Sequence, residues 1–144
     1  MLIDKEFEVY LQTDTRSKSK LKPITKKFPL VIYYQGLGRT IDDNLVLCEF
    51  LASKGFTVIG STFFRSLQSM SPGNDQYSRQ DLNLLINETA KHDFIDLSNI
   101  VYIGHSYGAQ AGFTIINQDG CPIDLFISLD TTFDYNDEKK IDEV

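Results

Sequence analysis

The chain is short of the residues from which metal sites, disulfide frameworks and membrane spans are built. It has two cysteines and two histidines among 144 residues, and none stands in C-x-x-C or H-E-x-x-H spacing. With no G-x-x-x-x-G-K phosphate loop either, the sequence implies no metal and no cofactor. Cys48 in VLCEF and Cys121 in GCPID have apolar surroundings, which reads as two reduced, buried thiols rather than a disulfide. No run comes near the roughly 18 apolar residues of a membrane span, and MLIDKEFEVY lacks the charged and then apolar regions of a signal peptide. A cytoplasmic location is therefore expected. Positive charge is in deficit too: 14 Lys and Arg face 20 Asp and Glu, a net charge of −6, which offers no basic field to nucleic acid. Half of that charge sits in residues 134–144, where five acids meet two lysines.

What is present suffices for a core. Hydrophobic residues make up 42%, with ten Phe and seven Tyr, which excludes disorder and suits a single domain over residues 1–144. The pattern along the chain is alternation of element types. Glu6 to Gln12 alternates apolar and polar residues as a half-buried strand does, and Phe28 to Gln35 is a nearly continuous β-branched and aromatic run, as in a strand covered on both faces. Asp42 to Lys54 has helical spacing and ends at Gly55, and Phe56 to Ser61 reads as the next strand. After a loop over Ser66 to Asn74, the residues Leu82, Leu85, Ile86, Ala90 and Phe94 form one helical stripe. Asn99 to Gly104 is a third buried strand, Tyr107 to Asn117 a helix, and Ile123 to Leu129 a fourth strand. Strands alternating with helices predict an α/β fold, a mostly parallel sheet with helices on both faces. The cations Arg16, Lys18, Lys20, Lys22, Lys26 and Lys27 fall between strand candidates and read as a solvated loop, the alternative being an anion or membrane-surface contact. The sequon Asn87-Glu88-Thr89 falls in a predicted helix and is not read as a glycosylation site.

Gly104-His105-Ser106-Tyr107-Gly108 fits G-x-S-x-G. A chain of this length shows that pattern by chance about one time in twenty, and here a strand runs directly into it and a helix directly out of it. The chain must turn sharply between the two, so Gly104 and Gly108 would remove side chains that collide, and Ser106 is expected in a strained backbone region. The alternative is a tight turn in which Ser106 is only a helix N-cap.

Together with Tyr34-Gln35-Gly36-Leu37-Gly38-Arg39 after a buried strand, and Ser128-Leu129-Asp130-Thr131 after the following one, this segment resembles the α/β-hydrolase family. Within it, the likeness is to the dienelactone-hydrolase-like and platelet-activating-factor-acetylhydrolase-like serine esterases, from about Phe28 to Asp130. The resemblance implies hydrolysis of small-molecule carboxylic esters, with Ser106 as nucleophile and the backbone amides of Leu37 and Tyr107 as the oxyanion hole. It also makes Asp130 the acid of the triad, with Asp134 second, where the residues alone allow an Asp that opens a turn. Gln35 stands where the family usually has His, and taken alone Gly36 and Gly38 fit an ordinary turn.

The family's general base is a His after the acid, and this chain has none beyond His105. His105 adjoins the nucleophile and is expected to be structural, while His92 is expected about 20 Å away at the other end of a strand. Two expectations follow. One is a hydrolase domain lacking its C-terminal part, with Ile123 to Leu129 left as a hydrophobic sheet edge open to self-association. The other is a non-catalytic binding or scaffold domain that keeps the hydrolase turn.

Overall fold

Side chains that are β-branched or ring-bearing at nearly every position favour extended backbone packed on both faces. Phe28–Tyr34 has that character and forms β1, with Leu30 to Tyr34 buried. The computed structural model describes residues 17, 18, 20–22, 24–36, 39–60 and 75–130, those at 75–78 by backbone alone. The strand candidate Glu6 to Gln12, Arg16, Leu37, Gly38, the loop Ser66 to Asn74, Asp134 and the acidic ending lie outside the described residues.

Four strands make one sheet: β1, β2 (Thr57–Gly60), β3 (Ile95–His105) and β4 (Leu125–Leu129). They lie in the order β2-β1-β3-β4 and every neighbouring pair is parallel. Helix α1 (Leu45–Ser53) follows a 3-10 turn at Ile41–Asn44, α2 spans Asp75–Thr89 and α3 spans Tyr107–Ile116. The two-residue period of β1 divides the core. Leu30, Ile32 and Tyr34 pack with Leu82 of α2 and Ile115 of α3 on one face, and Val31 and Tyr33 pack with Cys48 of α1 on the other. This is the α/β architecture expected, with helices on both faces.

The order of strands decides where a ligand could enter. From β1 the chain moves outward to β2 through α1, then crosses back over β1 to β3 through α2 and continues outward to β4. Right-handed crossovers require the helix to change face when the direction reverses, as α1 and α2 do. The reversal falls between β1 and β3, and outside the carboxyl ends of those strands lies the crevice in which open α/β sheets bind ligands.

Several boundaries differ from the sequence reading, each for a local reason. Helix α2 stops at Thr89, whose hydroxyl donates to the carbonyls of Leu85 and Ile86 (3.0 and 2.8 Å). Ala90 and Phe94 thus fall beyond the helix, and Leu82, Leu85 and Ile86 are on its core face. Strand β3 starts at Ile95, four residues before the expected Asn99, because Leu97, Ser98 and Asn99 loop out between the pairs Pro29–Asp96 and Leu30–Ile100. The Asp96 carboxylate accepts from Ser98 N and Oγ (3.0 and 2.7 Å) inside that loop. Strand β4 starts at Leu125 rather than Ile123. Asp124 precedes it and takes the Ile100 amide on its carboxylate at 2.7 Å, while its own amide donates to Ile100 O at 2.9 Å. Nor is β4 buried on both sides: Leu125 and Ile127 are 52% and 37% exposed. Both thiols are free, Cys48 buried and Cys121 partly so.

Candidate functional site

Parallel register brings three strand ends to one edge of the sheet. Tyr34 pairs with Gly104 and His105 with Leu129, so Gly36, Ser106 and Asp130 emerge side by side at the carboxyl edge, with Gly36 and Ser106 flanking the reversal between β1 and β3. The Ser106 amide donates to Leu129 O at 2.9 Å, tying the β3–α3 turn to the end of β4. On the other side, a Cβ placed on Gly36 would lie 3.4 Å from Ser106 Cβ and 3.3 Å from His105 Nδ1. Asp130, also at positive φ (52°), is exposed at the same edge.

Ser106 has φ 52° and ψ −114°, a region that L-residues other than glycine rarely enter and that costs about 1–3 kcal/mol. An N-cap serine is normally extended and bonds a first-turn amide through its side chain. Ser106 does neither. Its carbonyl accepts from Ala109 N and Gln110 N at 3.0 and 3.1 Å, which starts α3, while its hydroxyl has no partner among the described residues. Ser106 thus holds the N-cap position of α3 without capping it through its side chain.

The glycines flanking the turn are required by backbone contacts. A Cβ on Gly104 would sit 2.5 Å from Gly108 O and 2.6 Å from Ala109 N. A Cβ on Gly108 would overlap Tyr34 O and lie 2.7 Å from Tyr34 C. These backbone atoms have no rotamer by which to retreat, so helix α3 can stand against both β3 and β1 only with glycine at both positions. The buried Tyr102 hydroxyl secures the arrangement by donating to Gly108 O at 2.9 Å. Sequence reasoning passed over Tyr102, although a tyrosine in a fully buried strand needs a polar partner for its hydroxyl.

Tyr107, the first residue of α3, presents an amide with no acceptor among the described residues. It lies next to Ser106 at the positive end of the helix. Its oxyanion partner in the sequence reading, Leu37, is outside the described residues; Arg39 N donates to Gly36 O at 3.2 Å.

Neither histidine is paired with Ser106. His105 Nδ1 is buried against Gly36 and has no hydrogen-bond partner among the described residues, in keeping with a structural side chain. His92 follows α2 and stacks near Phe94 at 5.3 Å between centroids. It lines a cavity of about 320 Å³ with Thr57, Leu85, Glu88 and Ile95. Ile95 is the first residue of β3 and Ser106 follows its last, so roughly 20 Å or more of strand separates His92 from the serine. Among the described residues no group of three His, Cys, Asp or Glu side chains could hold a metal ion, and no helix is long and apolar enough to cross a membrane.

No protein-family model and no curated protein sequence matches this chain. Its fold is similar to that of a solved structure of DcsB in complex with its substrate analogue, with a TM-score of 0.59 over 80% of this chain. The two are 15% identical, and the match spans 42% of the DcsB chain. The likeness is one of α/β fold.

Proposed function

We propose that this chain is a serine hydrolase domain acting on carboxylic esters of small molecules, of the α/β-hydrolase type. In this reading Ser106 Oγ attacks the acyl carbon, and the oxyanion of the tetrahedral intermediate is held by the Tyr107 amide together with that of Leu37. The alkoxide leaves with a proton taken from the serine by a general base, and water then hydrolyses the acyl-enzyme. Asp130 would orient the base. One observation carries the reading: a strained serine, its hydroxyl without a partner among the described residues, stands between two sterically obligatory glycines at the sheet reversal. That DcsB was solved with a substrate analogue supports a substrate site on a fold of this kind.

The base itself is supplied by neither His92 nor His105, and this favours a second reading, a hydrolase-like binding or scaffold domain without turnover. Intact-mass detection of fluorophosphonate labelling separates the two. The esterase reading expects one adduct on the parent chain and none on Ser106→Ala; an unlabelled, folded parent chain would leave the binding domain. Exposed Leu125 and Ile127 on the outer strand β4 further support self-association across that edge. Sedimentation velocity is expected to show a concentration-dependent dimer that Ile127→Lys abolishes.

A further inference from the structure

Four of the seven large apolar side chains that stand exposed among the described residues belong to two neighbouring stretches of chain: Leu21 (69%) and Ile24 (63%) before β1, and Val46 (82%) and Phe50 (56%) on α1. Val46 and Phe50, four apart, share one helix face. The two stretches are joined at both ends. Ser17 donates through its amide and hydroxyl to Glu49 Oε1 (2.9 and 2.6 Å), and the Phe28 ring lies 3.5 Å from a Cβ built on Gly55, just past α1. The segment is therefore tied to the helix at Glu49 and to the residue past its end at Gly55.

Residues 18–27 hold five lysines and no acid, in a chain whose net charge is −6. Lys54 Nζ, at the end of α1, lies 5.2 Å from the Phe50 ring centroid and adds a sixth cation. Nearby acids do little to neutralise this strip. Glu49, bonded by Ser17, keeps one negative charge beside six cations, Asp43 lies 3.8 Å from Arg39 ahead of α1, and Asp96 faces Lys27 alone of the six.

A solvated loop accounts for the lysines but gains nothing from leucine and isoleucine held in water among them. A surface that is both anionic and able to admit apolar side chains answers both features. We propose that the outer face of α1 and the segment 18–27 tied to it bind the surface of an anionic lipid bilayer, the lysines meeting headgroups and Leu21, Ile24, Val46 and Phe50 entering the interface. The segment leads into the start of β1, whereas Gly36 and Ser106 lie beyond the carboxyl ends. The crevice would stay open to solution, and this inference stands or falls independently of the hydrolase reading.

Co-sedimentation of the full chain with phosphatidylcholine vesicles, with and without phosphatidylglycerol, tests it. Binding is expected only to the anionic vesicles and to weaken steeply with salt. Each lysine among 18, 20, 22 and 26 changed to glutamine is expected to weaken it about fivefold. Leu21→Ser with Ile24→Ser should also release the protein while leaving the salt dependence in place. All these positions are exposed, so unchanged circular dichroism and urea midpoints would establish that the variants fold. Absence of binding to anionic vesicles at low salt, equal binding by the lysine variants, or no effect of the two serines would overturn the proposal. Binding to a soluble polyanion such as heparin but not to vesicles would overturn it in favour of a different partner.

Discussion

Ser106 keeps a backbone conformation that a glycine would adopt without strain, and the surrounding contacts hold it there: Leu129 O on its amide, and Ala109 and Gln110 on its carbonyl. Ser106→Gly is therefore expected to be more stable than Ser106→Ala by about 1 kcal/mol in urea unfolding, even though both lose the nucleophile. Equal stability would mean that the serine is not strained in solution. Gly108→Ala should cost about 3 kcal/mol, since the new methyl meets the Tyr34 carbonyl and not a side chain that can turn away. The motif itself, with the strain at its centre, was legible in the sequence because a strand-to-helix turn of that sharpness has one steric solution. The contact of His105 with Gly36 was not, because residues so far apart in sequence meet only when β1 and β3 are paired.

The elements show the same division. Among the described residues periodicity located the four strands and three helices, since burial on one face or two imposes a spacing that is local to each segment. It misplaced their ends wherever a side chain competes with the backbone for hydrogen bonds, as Thr89 does at the end of α2, Asp96 within β3 and Asp124 before β4. Asp124→Ala removes the acceptor of the Ile100 amide at a partly solvated position and is expected to cost about 1 kcal/mol. Faster hydrogen exchange confined to the β3–β4 pair would be its signature. Tyr102→Phe takes the donor from a buried carbonyl at the first turn of α3, and about 1–3 kcal/mol should be lost. That loss would be measured by the same urea unfolding.

Taken as one folded unit, the molecule should respond to high pH through Tyr33. Burial, and then the neighbouring Cys48 and Asp43, raise its phenol above the ordinary value, outweighing the lowering by the Asn44 amide, which donates to its oxygen. A raised folded value means that the folded state holds the proton more tightly than the unfolded chain does. The resulting stability is complete below about pH 10, the unfolded value, and is lost as pH rises through the folded one. Urea midpoints at about pH 8 and about pH 11 should therefore fall by less in Tyr33→Phe than in the parent chain.

By itself the sequence determined the α/β class, the sharp turn at Ser106 and the scarcity of histidine, because each is a property of residue type and local spacing. Tertiary structure alone decided the strand order β2-β1-β3-β4 with its reversal between β1 and β3, and the register that sets Gly36, Ser106 and Asp130 on one edge. It likewise decided that the stretch bearing exposed Leu21 and Ile24 is tied through Ser17 to Glu49 of α1. Strand pairing and crossover side depend on contacts between segments distant in the chain, whose free energy appears only when the faces they bury have met.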